Sequence, residues 1–236
     1  MNKILYKAGT RKHFDHGWLK TWHSFSFGNY YDPRRMNFGV LRVLNDDIID
    51  PNSGFGTHPH DNMEIITIPL SGTLTHKDST GNEVGLKYPE IQVMSAGTGI
   101  QHSEYNLSET EPVSLLQIWI IPEERGLTPS YDQRSCDVNK RINKFDTAVS
   151  PENNGENLTI NQNSYISLGK FDKDRKAEYQ IKSDGNGAFV FLINGSIKIN
   201  STELNSRDAL GISECSEFPI DIIEDSEILV IEVPMN

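Results

Sequence analysis

Two runs, Phe55-Gly56-Thr57-His58-Pro59-His60 and Gly99-Ile100-Gln101-His102-Ser103-Glu104-Tyr105-Asn106, decide how this chain is read. Side chains alternate faces along a strand, so His58 with His60, and His102 with Glu104, each send two donor groups into one space. Four nitrogen and oxygen donors arriving together make a metal site. About forty residues separate the pairs, enough for the strands of a small barrel and too many for a zinc-finger loop. The spacing predicts an all-β fold with the site inside its first barrel.

Composition limits what such a site can belong to. With 236 residues, 36% hydrophobic and 23% charged, the chain is long enough for two ordinary domains and reads as water-soluble. No apolar run approaches the ~20 residues of a membrane span, so no membrane partner is expected. Nor does Met1-Asn2-Lys3-Ile4-Leu5-Tyr6 carry the apolar core of a secretion signal. A formal net charge of -11 disfavours direct contact with nucleic acid. Cys136 and Cys215 form no CxxC pair, as in a reducing compartment; a cytoplasmic monomer is expected.

Residues 1–37 are rich in aromatic and histidine side chains without a clear period, and His13, His16 and His23 are expected to pack rather than bind metal. Strands are predicted over 38–44 with 48–49, 63–70, 73–76, 91–94 and 113–121. Ser71-Gly72 reads as a hairpin turn, which leaves His76 on the surface. Gly97 and Gly99 supply the unusual dihedrals that aim His102 inward. The first barrel, 1–122, closes at Pro122; a polar linker covers 123–157, and a second barrel covers 158–236. In the latter, Asn194-Gly195 is a strong hairpin signal. The run 189–200 repeats the layout of 65–76, so the two barrels read as copies. Positions 58 and 60 then fall on Ile181 and Ser183, and all seven histidines lie at or before residue 102, so only the first barrel can carry the chemistry.

Longer segments carry a resemblance. Gly17-Trp18-Leu19, the run from Phe25 to Pro33, Gly54 to His60, Met94 to Asn106 and Gln117-Ile118-Trp119-Ile120 resemble the pirin family, in the bicupin group of the cupin superfamily. The likeness runs the whole length and is nearer the compact bacterial members than the longer eukaryotic ones. It implies two cupin (double-stranded β-helix) barrels and one metal held by His58, His60, His102 and Glu104. It also implies quercetin 2,3-dioxygenase activity, with a small aromatic substrate and O2. Glu64 competes as the acidic ligand through the general cupin spacing; the pirin motif favours Glu104, with Glu64 supporting the site from behind. Gly97, where cupins usually have Pro, and Ser71 before the expected Gly depart from the wider pattern without touching a donor.

Three imidazoles and one carboxylate leave a divalent ion with open positions, unlike a closed structural zinc. Fe(II) is expected, with Mn, Ni, Co, Cu or Zn as alternatives. Glu104 is the expected catalytic base toward a flavonol 3-hydroxyl. Trp22, Phe25, Phe27, Phe38 and Phe55 are candidates for core or for a flat pocket wall. The competing reading is a non-enzymatic metal or redox sensor that docks a regulatory partner.

Overall fold

Runs of Ile, Val, Leu and Phe bounded by Gly, Asn and Pro form strands along the entire chain, as β propensity and turn chemistry require. A computed structural model describes residues 1–153 and 155–235. The first part supplies β1 (Asn2–Tyr6), β2 (Lys12–Asp15), β3 (Leu19–His23), β4 (Leu41–Ile49), β5 (Ser53–His60), β6 (Glu64–Ser71), β7 (Thr73–Asp78), β8 (Glu83–Lys87), β9 (Glu90–Ser95), β10 (Ile100–Asn106), β11 (Val113–Ile120) and β12 (Ser130–Ser135). The second supplies β13 (Phe145–Ser150), β14 (Leu158–Thr159), β15 (Tyr165–Phe171), β16 (Lys176–Gln180), β17 (Asn186–Asn194), β18 (Ser196–Ile199), β19 (Thr202–Asn205), β20 (Ala209–Ser213), β21 (Glu217–Ile222) and β22 (Ser226–Pro234). The only helical pieces among the described residues are two short 3-10 turns, and no helix is long and apolar enough to cross a membrane.

Each barrel is a seven-stranded sheet closed by a four-stranded one. In front the orders are β12-β9-β6-β11-β4-β3-β2 and β5-β10-β7-β8; behind, β1-β20-β17-β22-β15-β13-β14 and β16-β21-β18-β19. The two large sheets face each other. Ile66, Ile68, Leu116 and Ile118 of the front and Phe189, Phe191, Leu229 and Ile231 of the back belong to one apolar cluster between them. A strand so placed is buried on both faces and reads as continuous apolar sequence, as β17 does.

The two barrel interiors differ, and that difference localises the function. Behind, Val190, Leu192, Ile197, Leu210, Phe218 and Ile220 with their neighbours fill the interior as one apolar cluster. In front, the apolar interior is split into two smaller groups, one around Leu74 and Leu115 and one around Met94 and Ile100. Polar side chains divide them.

Several sequence expectations are corrected here. Ser71-Gly72 and Asn194-Gly195 do not close hairpins: β6 pairs with β9 and β11 while β7 pairs with β8 and β10, and β17 and β18 likewise lie in different sheets. Both turns are corners at which the chain crosses between layers. Gly72 and Gly195 have φ of 75° and 101°, and a Cβ at either would collide with backbone of the neighbouring strand. The polar stretch 123–157 is more than a linker, since β12 edges the front sheet against β9 and β13 joins the back sheet against β15. Residues 1–37 hold three strands. The earliest of them, β1, pairs with β20 and so belongs to the rear sheet.

Candidate metal centre

The site is built by β5 and β10, antiparallel neighbours in the small front sheet. His102 faces His58 and Ile100 faces His60 across the pair. A bulge between His102 and Glu104 then shifts the register, so that Glu104 faces Phe55. Close approach of the two backbones needs a glycine, because a Cβ on Gly54 would collide with the Glu104 carbonyl. Gly97, with φ of 49°, turns the chain into β10 against Leu127, where a side chain would also clash.

Three of the four expected donors converge. Ring nitrogens of His58, His60 and His102 lie within 4.8 Å of one another. Glu104 falls in a second, deeper group with His102 and His76, also within 4.8 Å. His76, expected on the surface from its place after a turn, is instead 0% exposed. The legible signal was Asp78 two positions on, since His76 Nε2 lies 3.0 Å from Asp78 Oδ2. Burial opposes ionisation of Asp78, but hydrogen bonds from Thr80, His76 and Asn82 outweigh it and hold the carboxyl below the usual range. Glu64 does not join either group. Its carboxylate accepts from Ser95 Oγ at 2.8 Å and from the Asn161 backbone at 3.1 Å, so it fastens the front barrel to the β14–β15 connection of the back one.

The chemistry of the donors fits a metal ion. Both ring nitrogens of His102 are buried without a hydrogen-bond partner, at 1% residue exposure. An imidazole left so is costly unless something else takes its lone pair. His58 Nδ1 lies 2.8 Å from the Gly56 carbonyl, which fixes the proton there and frees Nε2 for an ion. Burial, then neighbouring imidazoles, lowers His60 to about 4 and His102 to about 3, so both are neutral and able to ligate at neutral pH.

Behind the imidazoles a polar row crosses five strands. Register places Gln92, Thr67, Gln117, Asn45 and His23 side by side on β9, β6, β11, β4 and β3. Gln92 Nε2 donates to Thr67 Oγ1 at 3.1 Å, and Thr67 donates to Gln117 Oε1 at 2.8 Å. Gln117 Nε2 in turn donates to both Glu104 oxygens at 3.0 and 3.2 Å. The row therefore holds Glu104 in place from one side. Burial pushes the Glu104 carboxyl above its ordinary value, partly offset by Gln117.

Above the histidines opens a cavity of about 470 Å³, lined by Trp18, Phe27, Phe55 and Trp119 as well as Asn45, Asp47, Glu104 and Gln117. Its size is that of a small-molecule site. Of the aromatic candidates, Phe27 and Phe55 reach it. Phe25 and Phe38 are in the core between the sheets, and Trp22 stacks on His13 instead. Trp18 and Trp119, which the sequence shows only within the family-like segments, also line it, as do Asn45 and Asp47. For the last two a signal existed: polar residues inside an otherwise apolar strand, which had looked like a break in it.

Asp47 is buried, and desolvation pushes its carboxyl up to about 7, with Asp46 and Glu104 adding to the rise and Thr21 offsetting part of it. The folded state thus favours the protonated form. The resulting destabilisation is absent below the unfolded value near 4, grows as pH rises and is full at about pH 7. Asp47→Asn is accordingly expected to raise the unfolding temperature of the metal-free protein at pH 7 and to leave it unchanged near pH 4. Thermal unfolding followed across that range by circular dichroism checks it.

Comparison with known proteins agrees with this architecture. The family model described as Pirin matches residues 7–120, and that of the quercetinase C-terminal cupin domain matches 147–233. Over 230 residues the chain is 43% identical to a quercetin 2,3-dioxygenase of Escherichia coli (strain K12), covering 98% of each. It is 40% identical over 219 residues to a pirin-like protein of Caulobacter vibrioides, covering 92% of this chain and 94% of the other. The crystal structure of the bacterial pirin YhhW from Escherichia coli in complex with nickel(II) superposes with a TM-score of 0.94 at 41% identity, over 100% of both chains. A quercetin 2,3-dioxygenase from Acinetobacter baumannii shares the fold at a TM-score of 0.81 and 21% identity, over 98% of this chain and 86% of that one.

Proposed function

The chain belongs to the pirin family of two-cupin proteins, and from that premise we propose that it is a metal-dependent dioxygenase that opens the ring of quercetin or a similar flavonol with O2. One observation carries the reading: three converging imidazoles, one with both nitrogens buried and unpartnered, at the base of an aromatic-walled cavity. His58, His60, His102 and Glu104 would hold the ion. The nickel(II) complex of the Escherichia coli relative supports a divalent first-row metal, and we propose iron(II).

When bound, the ion supplies Lewis acidity toward a substrate hydroxyl and a redox centre for O2. The chain supplies the rest. Trp119, which meets His60 edge to face at 4.8 Å, and Phe55 offer rings against which a flat substrate lies and from which water is excluded. Glu104 accepts the proton of the flavonol 3-hydroxyl; its raised pKa brings it nearer the working pH than an ordinary carboxylate. Gln117 keeps that carboxylate turned toward the cavity through its two hydrogen bonds.

Flavonol absorbance followed with metal-loaded and metal-free protein, in air and under nitrogen, tests the proposal. Loss of flavonol is expected only when metal and O2 are both present. Glu104→Gln should keep the fold and lower kcat by about 10²–10⁴-fold, the usual cost of a lost general base. Absence of turnover with every first-row metal would leave the partner-docking metal sensor as the better reading.

A further inference from the structure

The cavity has two kinds of wall, and metal binding with ring stacking accounts for only one. Beside the aromatic rings, Asn45 and Asp47 project from one face of β4, two residues apart and each 4% exposed. The Oδ1 atom of each is buried without a hydrogen-bond partner. The polar row does not satisfy Asn45, because its cross-strand neighbour Gln117 donates its amide to Glu104 and accepts with its carbonyl from Thr67. Asp47 faces Thr21, whose hydroxyl is near enough to offset part of the carboxyl's raised pKa but leaves Oδ1 unpaired. Empty buried acceptors are rare, since burial strips their water and returns nothing. A pair of them on residues that line a cavity favours a ligand that brings donors.

We propose that Asn45 and Asp47 are specificity-determining residues, a ledge that accepts hydrogen bonds from ring hydroxyls of the substrate and so selects polyhydroxylated aromatics over plain ones. The assignment rests on the dioxygenase reading for the class of ligand. Neighbouring strands are about 4.8 Å apart, so the ledge begins one strand beyond Gln117, the residue that holds Glu104. The hydroxyls it accepts therefore belong to a part of the ligand other than the 3-hydroxyl that faces Glu104. Selectivity of this kind comes from the gain of the right ligand, because only one that brings donors pairs acceptors left unpaired in the free protein.

The test compares quercetin with 3-hydroxyflavone, which keeps the 3-hydroxyl and carbonyl and lacks every other ring hydroxyl. Both are titrated anaerobically into metal-loaded protein, following quenching of tryptophan fluorescence. Wild type is expected to bind quercetin at least about tenfold more tightly. In Asn45→Leu and Asp47→Leu that ratio falls toward one, while metal content is kept and the metal-free variants unfold at an equal or higher temperature than wild type. Rising stability with lost discrimination is what a purely structural role would not produce. Asp47→Asn, which keeps the shape and one acceptor, should give an intermediate ratio and decides the matter should the leucine variants not fold. A ratio that survives these substitutions, or one near unity in wild type, overturns the ledge and leaves the dioxygenase reading standing. Failure of metal-loaded wild type to bind either flavonol removes that reading and the ledge with it.

Discussion

His102→Ala is expected to leave a folded protein that no longer retains its metal and no longer consumes flavonol. The argument starts from position. His102 is shared by both donor groups, the one with His58 and His60 and the one with His76 and Glu104, so its loss dismantles either arrangement. Removing a group that merely supports a ligand costs about 10–100-fold in metal affinity, and loss of a ligand itself should exceed that. Two measurements follow. Elemental analysis should find less than a tenth of the wild-type metal after dialysis. Thermal unfolding should lose its dependence on added metal, which in wild type contributes about 2.7 kcal/mol at a hundred times the dissociation constant. The fold should survive, because the substitution also removes two buried nitrogens that have no partner without the ion. A variant that still unfolds at a higher temperature with metal would show that the imidazole is not a ligand.

The largest effect on stability is expected far from that site, at Phe189→Ala. Phe189 is 0% exposed on β17 and points into the core between the two large sheets. Its ring lies 5.1 Å from Tyr6, 5.4 Å from Phe25 and 5.7 Å from Phe38, so one side chain of the back barrel gathers three aromatic residues from the first 38 of the chain. Truncation of a buried Phe costs about 3–5 kcal/mol, and for a chain of this size that is a fall in unfolding temperature of roughly 10 °C. Because the cluster ties the halves together, calorimetry should show one transition in wild type and a loss of that single cooperativity in the variant. A shift of only a degree or two would mean that the halves are stable independently.

The features legible in the sequence were those with a local period. A strand repeats every two residues, so His58-x-His60 and His102-x-Glu104 declare their common direction without any structure, and long β-rich runs declared the all-β fold. What was hidden depends on layers rather than on period. Ser71-Gly72 looks like a hairpin because both a hairpin and a corner between sheets need a glycine at positive φ. Asn45-Asp46-Asp47 looked like a break in a strand, since polar residues normally face water. Here two of them face a barrel interior that is itself polar along one row. His76 is hidden for the same reason: a histidine after a turn is usually exposed, and here a hydrogen bond to Asp78 and the stacked Tyr131 ring account for its burial.

The pairing of β1 with β20 carries a consequence for how the molecule is made. Asn2 is matched with Ser213 and Tyr6 with Ala209, so a segment translated early must wait for one translated late. Until the ribosome has released the rear half, residues 2–6 have no strand partner, and Tyr6 cannot reach Phe189. Ordering of β1 thus reports that β20 has emerged, and the front barrel cannot be sealed against the rear one before then.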